Sequence, residues 1–182
     1  MSLHLKKAGK LNAEAISSLA LMGALMFASK VVLASLPNIH IIAVLIIAGS
    51  IFFGKYILFS VAVYILLEGL FYGFGLWWLC YWYSWPLLVA AALLFRNNTS
   101  AFLWAIIAAV HGLLFGALSS IPYLFLSGRE TAVAIWVAGI PFDLFHGAGN
   151  FILTLVLYRP LYKTLSAITG LDPQQCAVRG EE

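Results

Sequence analysis

The chain has 182 residues, of which 63% are hydrophobic and only 9% are charged. That charge density lies far below the roughly 25% of an ordinary soluble domain, which excludes a water-soluble globular architecture. The formal charge of +3 is too small and too scattered for a nucleic-acid surface, and Cys80 and Cys176 supply neither a disulfide framework nor a zinc spacing.

Apolar runs of about 20 residues, the length that crosses a bilayer as a helix, recur from end to end. Cutting them at Pro, Gly, Asn and charged clusters predicts an all-α bundle of six transmembrane helices, at about 13–36, 39–54, 56–74, 79–95, 101–126 and 131–158. The whole of 1–182 reads as one integral membrane domain, with a polar cytoplasmic tail at 164–182. The first run follows Lys6, Lys7 and Lys10 but is too long for a signal peptide and lacks a small-residue cleavage site, so it reads as a retained helix. Basic residues collect in cytoplasmic loops. With the N-terminus inside, Lys6, Lys7, Lys10, Lys55, Arg96, Arg159 and Lys163 fall on one side and only Arg129, beside Glu130, on the other, which places both termini in the cytoplasm.

In the first span Ala20, Ala24 and Ala28 recur every four residues, with Ser17 extending the stripe. Small residues at this spacing let another helix approach closely, whether in a partner or in the same bundle. Lys30 follows toward the outer end of the span, and Asn38 and His40 lie in the first outer connection, within "LPNIH". Glu68 in "LLEGLFYG" is near the outer end of span three. The next stretch, "YGFGLWWLCYWYSW" at 72–85, holds Tyr72, Trp77, Trp78, Tyr81 and Trp85, either as an interfacial belt or, hinged at Gly73 and Gly75, as a lid folding inward. "NNTS" at 97–100 contains glycosylation sequons but falls on the cytoplasmic side. In span five, Gly112 and Gly116 form a GxxxG with the same ambiguity as the alanine stripe.

Span six carries "PFDLFHGAGN" at 141–150. Asp143, His146 and Asn150 are spaced i, i+3, i+7 and share an arc of roughly 60° on one helix face. An ionisable group near mid-span costs about 2.5–3.5 kcal/mol on insertion scales, so Asp143 needs a compensating partner or a function. An internal network with Lys30, His111 or His146 would serve the first; a binding face would serve the second. Lys30, Asn38, His40 and Glu68, with the aromatic stretch, predict an outward-facing pocket of aromatic walls and a few polar groups, the usual composition of a small-molecule site.

The chain has no GxSxG elbow, no HExxH helix, no paired acidic motif for magnesium and no glycine-rich phosphate loop, so binding is favoured over catalysis and no energy source is built in. The six-span plan, the small-residue stripe, "LPNIH", "EGLFYGFGLWW", "WYSWPLL" and "GIPFDLFHGAGNFILTLVLYRPL" together resemble the substrate-binding S component of an energy-coupling factor (ECF) transporter, over nearly the whole chain. The resemblance implies a non-enzymatic vitamin-binding subunit of a multi-pass bacterial plasma-membrane importer, without a cofactor or metal of its own. Its partners would be a transmembrane coupling subunit and two cytosolic ATPases. Ala20, Ala24 and Ala28 become the docking stripe, Asn38 and His40 part of a gating loop, and Glu68, the 72–85 segment and the Asp143, His146 and Asn150 face the pocket. Aromatic walls with amide and imidazole groups favour a cobalamin-type ligand, whereas Lys30 suits a carboxylate such as pantothenate, and other water-soluble vitamins stay open. Two other classes accommodate the same residues: a small proton- or ion-coupled transporter using Asp143, Glu68 and the histidines as a relay, and an intramembrane enzyme using Asp143 and His146 as acid and base.

Overall fold

The computed structural model describes residues 13–35 and 38–173. Lys6, Lys7, Lys10, the Leu36–Pro37 end of the first span and Cys176 lie outside the described residues. All regular structure among the described residues is helical, without a strand: α1 (Ala13–Val32), α2 (Ile42–Phe53), a single 3-10 turn (Gly54–Tyr56), α3 (Ile57–Tyr72), α4 (Leu76–Leu94), α5 (Ala101–Leu126) and α6 (Arg129–Thr169). In a medium without water only such internally bonded backbone is tolerated.

Side-chain bonds between helices fix their directions. The Ser60 hydroxyl donates to the Leu19 carbonyl at 2.7 Å, and Lys30 pairs with Glu68 farther along, so α1 and α3 run parallel. α2 must therefore return between them. It runs alongside α6, with the His40 ring against His146 just before its start and Phe52 against Tyr162 near its end, at centroid separations of 4.9 Å in both cases. Asn150 bonds to the Ala108 carbonyl and the Gly116 amide to Asp143, which makes α5 and α6 antiparallel. Consecutive helices thus alternate in direction from α1 to α6.

Among the described residues five stretches are long and apolar enough to cross a membrane: Ala13–Val32, Ile42–Tyr72, Leu76–Leu94, Ala101–Leu126 and Arg129–Thr169. The second comprises α2 and α3, folded back on each other at Gly54, whose φ of 58° suits a residue without a Cβ. The span expected at 39–54 is therefore a 12-residue helix, roughly 18 Å long and short of the roughly 30 Å hydrocarbon layer. All of its residues are buried. It is apolar all round, as a helix enclosed by its neighbours must be. The last helix differs in the opposite sense. It continues 11 residues past 158, so the first part of the expected tail at 164–182 is helical up to Thr169.

Without a hydrophobic drive between helices in lipid, close packing and interhelical bonds hold such a bundle together. Gly112 and Gly116 serve that purpose inside this chain. A Cβ on Gly112 would lie 2.8 Å from the Gly147 amide nitrogen, so α5 and α6 meet almost backbone to backbone. On α1, Ala15, Leu19, Gly23 and Met26 face inward. Ala20 and Ala24 are only half-buried and Ala28 is exposed, across the helix from that face. The alanine stripe therefore does not pack the chain's own core.

Local chemistry sets the breaks. Ser100 caps α5, its hydroxyl accepting from the Leu103 amide at 3.4 Å, and Asn98 accepts from the Ser100 amide at 3.0 Å, so the "NNTS" segment forms a helix start. Pro122 inside α5 has no N–H for the Leu118 carbonyl. The Tyr83 hydroxyl donates to that carbonyl instead, at 2.6 Å, and ties α4 to α5.

Candidate functional site

A cavity of about 390 Å³ lies where α1 and α3 finish and α4 begins, roofed by Leu33, Ala34, Asn38, Ile39 and His40 and closed from below by α5 and α6. Its lining includes Lys30, Asn38, His40, Glu68, Tyr72, Trp77, Tyr81 and His146, eight of the twelve residues expected to bind ligand. Leu33, Ala34, Ile39 and Phe115 complete the wall. These four carry no polar signal in the sequence, and only the packing brings them here.

Lys30 and Glu68 form the charged centre. The ammonium pairs with the Glu68 carboxylate and hydrogen-bonds the Tyr81 hydroxyl at 3.1 Å. It also sits 5.3 Å from the ring centroids of both Tyr72 and Tyr81, within reach of the ring faces. The Glu68 side chain is fully buried, whereas that of Lys30 keeps 27% of its surface exposed toward the cavity mouth. A buried carboxylate without such a partner would be strongly destabilising.

The aromatic stretch builds one wall as a helix. α3 ends at Tyr72 and α4 begins at Leu76, so the connection is only three residues long and no inward-folding lid is formed. Trp77, Tyr81 and Trp85 recur every four residues on one side of α4, with ring centroids 5.3 Å and 5.9 Å apart along the column. Trp77 and Tyr81 line the cavity. Trp85 lies one turn deeper, fully buried beneath it, with its ring 5.9 Å from that of His40. Trp78 points elsewhere: its indole N–H donates to the Ile65 carbonyl at 2.8 Å and binds α4 to α3.

The polar face of α6 divides in the same way. His146 lines the cavity, packed edge-on against His40 and against Phe115, whose ring centroid is 5.0 Å away. Among the described residues, neither ring nitrogen of His146 has a hydrogen-bond partner, nor does His40 Nδ1 or Glu68 Oε1. Asp143 and Asn150 do not line it. Asp143 accepts from the Gly116 amide at 2.9 Å, rather than pairing with Lys30, His111 or His146. Asn150 donates to the Ala108 carbonyl at 3.2 Å. Both side chains join α6 to α5.

The roof is anchored to α6. Asn38 adopts a positive φ of 57°, a conformation asparagine tolerates better than most residues. Its amide donates to the Phe142 carbonyl at 3.3 Å, and Ile39 lies against Gly149, where an added Cβ would meet it at 3.3 Å. At the other end of the bundle are Lys55, Arg96, Arg159 and Lys163, while Arg129 starts α6 on the cavity side. Among the described residues no three of His, Cys, Asp and Glu converge as a metal set. A second cavity, about 250 Å³ between α4 and α5, is lined by aliphatic side chains and His111.

Composition, helicity and the five apolar stretches among the described residues are compatible with a multi-pass helical membrane protein. No protein-family model, curated protein or solved structure matches the chain.

Proposed function

We propose that this chain is the substrate-binding subunit of an ECF-type importer, with six helices alternating in direction through the membrane, the short α2 enclosed by the others, and both termini in the cytoplasm. It would capture a small water-soluble vitamin or related compound from outside. The carrying observation is the cavity itself: an aromatic box with a few convergent polar groups, at the end of the bundle opposite Lys55, Arg96, Arg159 and Lys163. Basic residues favour the cytoplasmic side, so that cavity faces outward. Its volume of about 390 Å³ lies within the roughly 300–1,000 Å³ of ligand pockets.

Two further features support the reading. The alanine stripe of Ala20, Ala24 and Ala28 is left outside the chain's own core, free for a transmembrane coupling subunit. The exterior is apolar around the bundle, with Leu21, Leu70, Leu94 and Phe125 each more than 70% exposed, so the subunit could reorient in lipid to deliver its cargo inward. The energy would come from two cytosolic ATPases bound to the coupling subunit, and the chain itself performs no catalytic step. A cobalamin-type cargo would need the roof to open well beyond the enclosed volume, whereas a smaller vitamin fits as it stands.

The buried Lys30–Glu68 pair also suits an ion-coupled transporter, since intramembrane charges mark ion and proton pathways. One experiment separates the two: uptake of labelled vitamins by cells expressing the chain with an ECF module. Uptake abolished by an ATPase-dead module supports the importer. Uptake that survives without the module and collapses with a protonophore overturns it.

A further inference from the structure

We infer, resting on the importer reading, that the cargo is an uncharged, flat, nitrogen- and oxygen-bearing ring compound rather than a carboxylate or a cation. The first observation is that the charges in the cavity already cancel. Lys30, the obvious anchor for an anion, is held by the Glu68 carboxylate and by the Tyr81 hydroxyl at 3.1 Å. An incoming carboxylate would have to displace Glu68, whose side chain is fully buried and pairs with no other cation among the described residues. Two carboxylates would then share one ammonium away from bulk water, and like charges so placed repel strongly. An incoming cation would compete with Lys30 for the same carboxylate and leave an ammonium without its counter-ion.

The second observation concerns the groups left over. Among the described residues, both nitrogens of His146, Nδ1 of His40 and Oε1 of Glu68 have no partner although each is buried, and of the unpartnered buried atoms these are the ones on residues that line the cavity. Buried polar atoms are nearly always satisfied in a working state, so these point to hydrogen bonds supplied by a ligand. In its neutral form an imidazole offers one N–H and one bare nitrogen, which matches a ring or amide edge carrying both a donor and an acceptor. Glu68 Oε1 adds a further acceptor for an N–H.

The third observation is shape. Tyr72, Trp77, Tyr81 and Phe115 line the space, and aromatic rings favour flat partners in stacked or edge-on contact. Aliphatic acids gain little from such walls. Neutral heteroaromatic rings gain from both the walls and the imidazole floor.

The test is calorimetric titration of the purified chain in detergent with a vitamin panel. Riboflavin, pyridoxine and nicotinamide serve as uncharged rings, nicotinate, pantothenate and biotin as anions, thiamine as a cation and cobalamin as a bulky ligand. The expected result is tightest binding by an uncharged ring, with nicotinamide at least tenfold ahead of nicotinate. Tightest binding by an anion, by thiamine or by cobalamin overturns the inference and leaves the binding-subunit reading intact. No saturable binding by any member overturns both. Glu68→Gln releases Lys30 and should reduce the nicotinamide preference at least tenfold; an unchanged preference in that variant shows that the ion pair does not set selectivity. If Glu68→Gln does not yield a single folded species, the wild-type ranking decides alone.

Discussion

The Gly116 amide donates to the Asp143 carboxylate at 2.9 Å, one turn along α5 from Gly112, where α5 and α6 meet almost backbone to backbone. A backbone N–H on one helix thus compensates an acidic side chain near the middle of another. The contact depends on glycine, because any Cβ at position 116 would fall on the carboxylate.

Gly116→Ala and Gly112→Ala should therefore each destabilise the bundle by about 1–3 kcal/mol through overpacking. Gly112→Ala should be the costlier, since its Cβ meets the backbone of Gly147 rather than a side chain that can turn. Gly139→Ala on α6 is the control, because no atom lies within 4 Å of its added Cβ. There the gain in helix propensity of about 0.5–1 kcal/mol should prevail. Thermal unfolding in detergent should rank the three in that order.

Breaking the ion pair from one side should cost more than removing both charges. Lys30→Met leaves Glu68 buried without a counter-ion and should destabilise by about 3 kcal/mol. Lys30→Met/Glu68→Gln should recover most of that loss. A double-mutant cycle by denaturant unfolding checks the coupling, and additive effects would show that the two side chains do not depend on each other.

The two polar residues of α6 should separate by readout. His146→Leu removes groups that face the cavity and should weaken ligand binding at least tenfold with little change in unfolding temperature. Asn150→Leu removes the bond to the Ala108 carbonyl and should cost about 1 kcal/mol of stability, with affinity of the folded fraction retained. Titration and melting of both variants provide the check.

Ala24→Leu fills the outward stripe of α1 without entering the chain's own core. Ligand binding by the isolated subunit should stay within about twofold of wild type, while uptake through the coupling module falls to background. Loss of binding in this variant would place the stripe in the bundle after all.

Helicity, the membrane class and most of the cavity's polar lining are legible along the chain, because each rests on local composition or on periodicity. A run of apolar residues declares a helix wherever it packs. Lys30, Asn38, His40 and Glu68 stand out because polar groups are costly in such surroundings. Spacing of three and four residues was also enough to place Asp143, His146 and Asn150 on one face. It was not enough to say what that face meets: an arc of roughly 60° on α6 spans both the α5 interface, where Asp143 and Asn150 bond to backbone, and the cavity, where His146 is left open.

The membrane character of this protein and the set of polar residues that demand an explanation follow from its sequence alone, since both depend on the free energy of placing each side chain in lipid. Tertiary structure decided the rest. It enclosed α2 as a short buried helix, stacked Trp77, Tyr81 and Trp85 of the 72–85 stretch as a column along α4, and brought Phe115 and Leu33 to the cavity. It also paired Lys30 with Glu68, 38 residues away. Such relationships join residues distant along the chain, and they form only when helices settle at the few separations that glycines and buried hydrogen bonds allow.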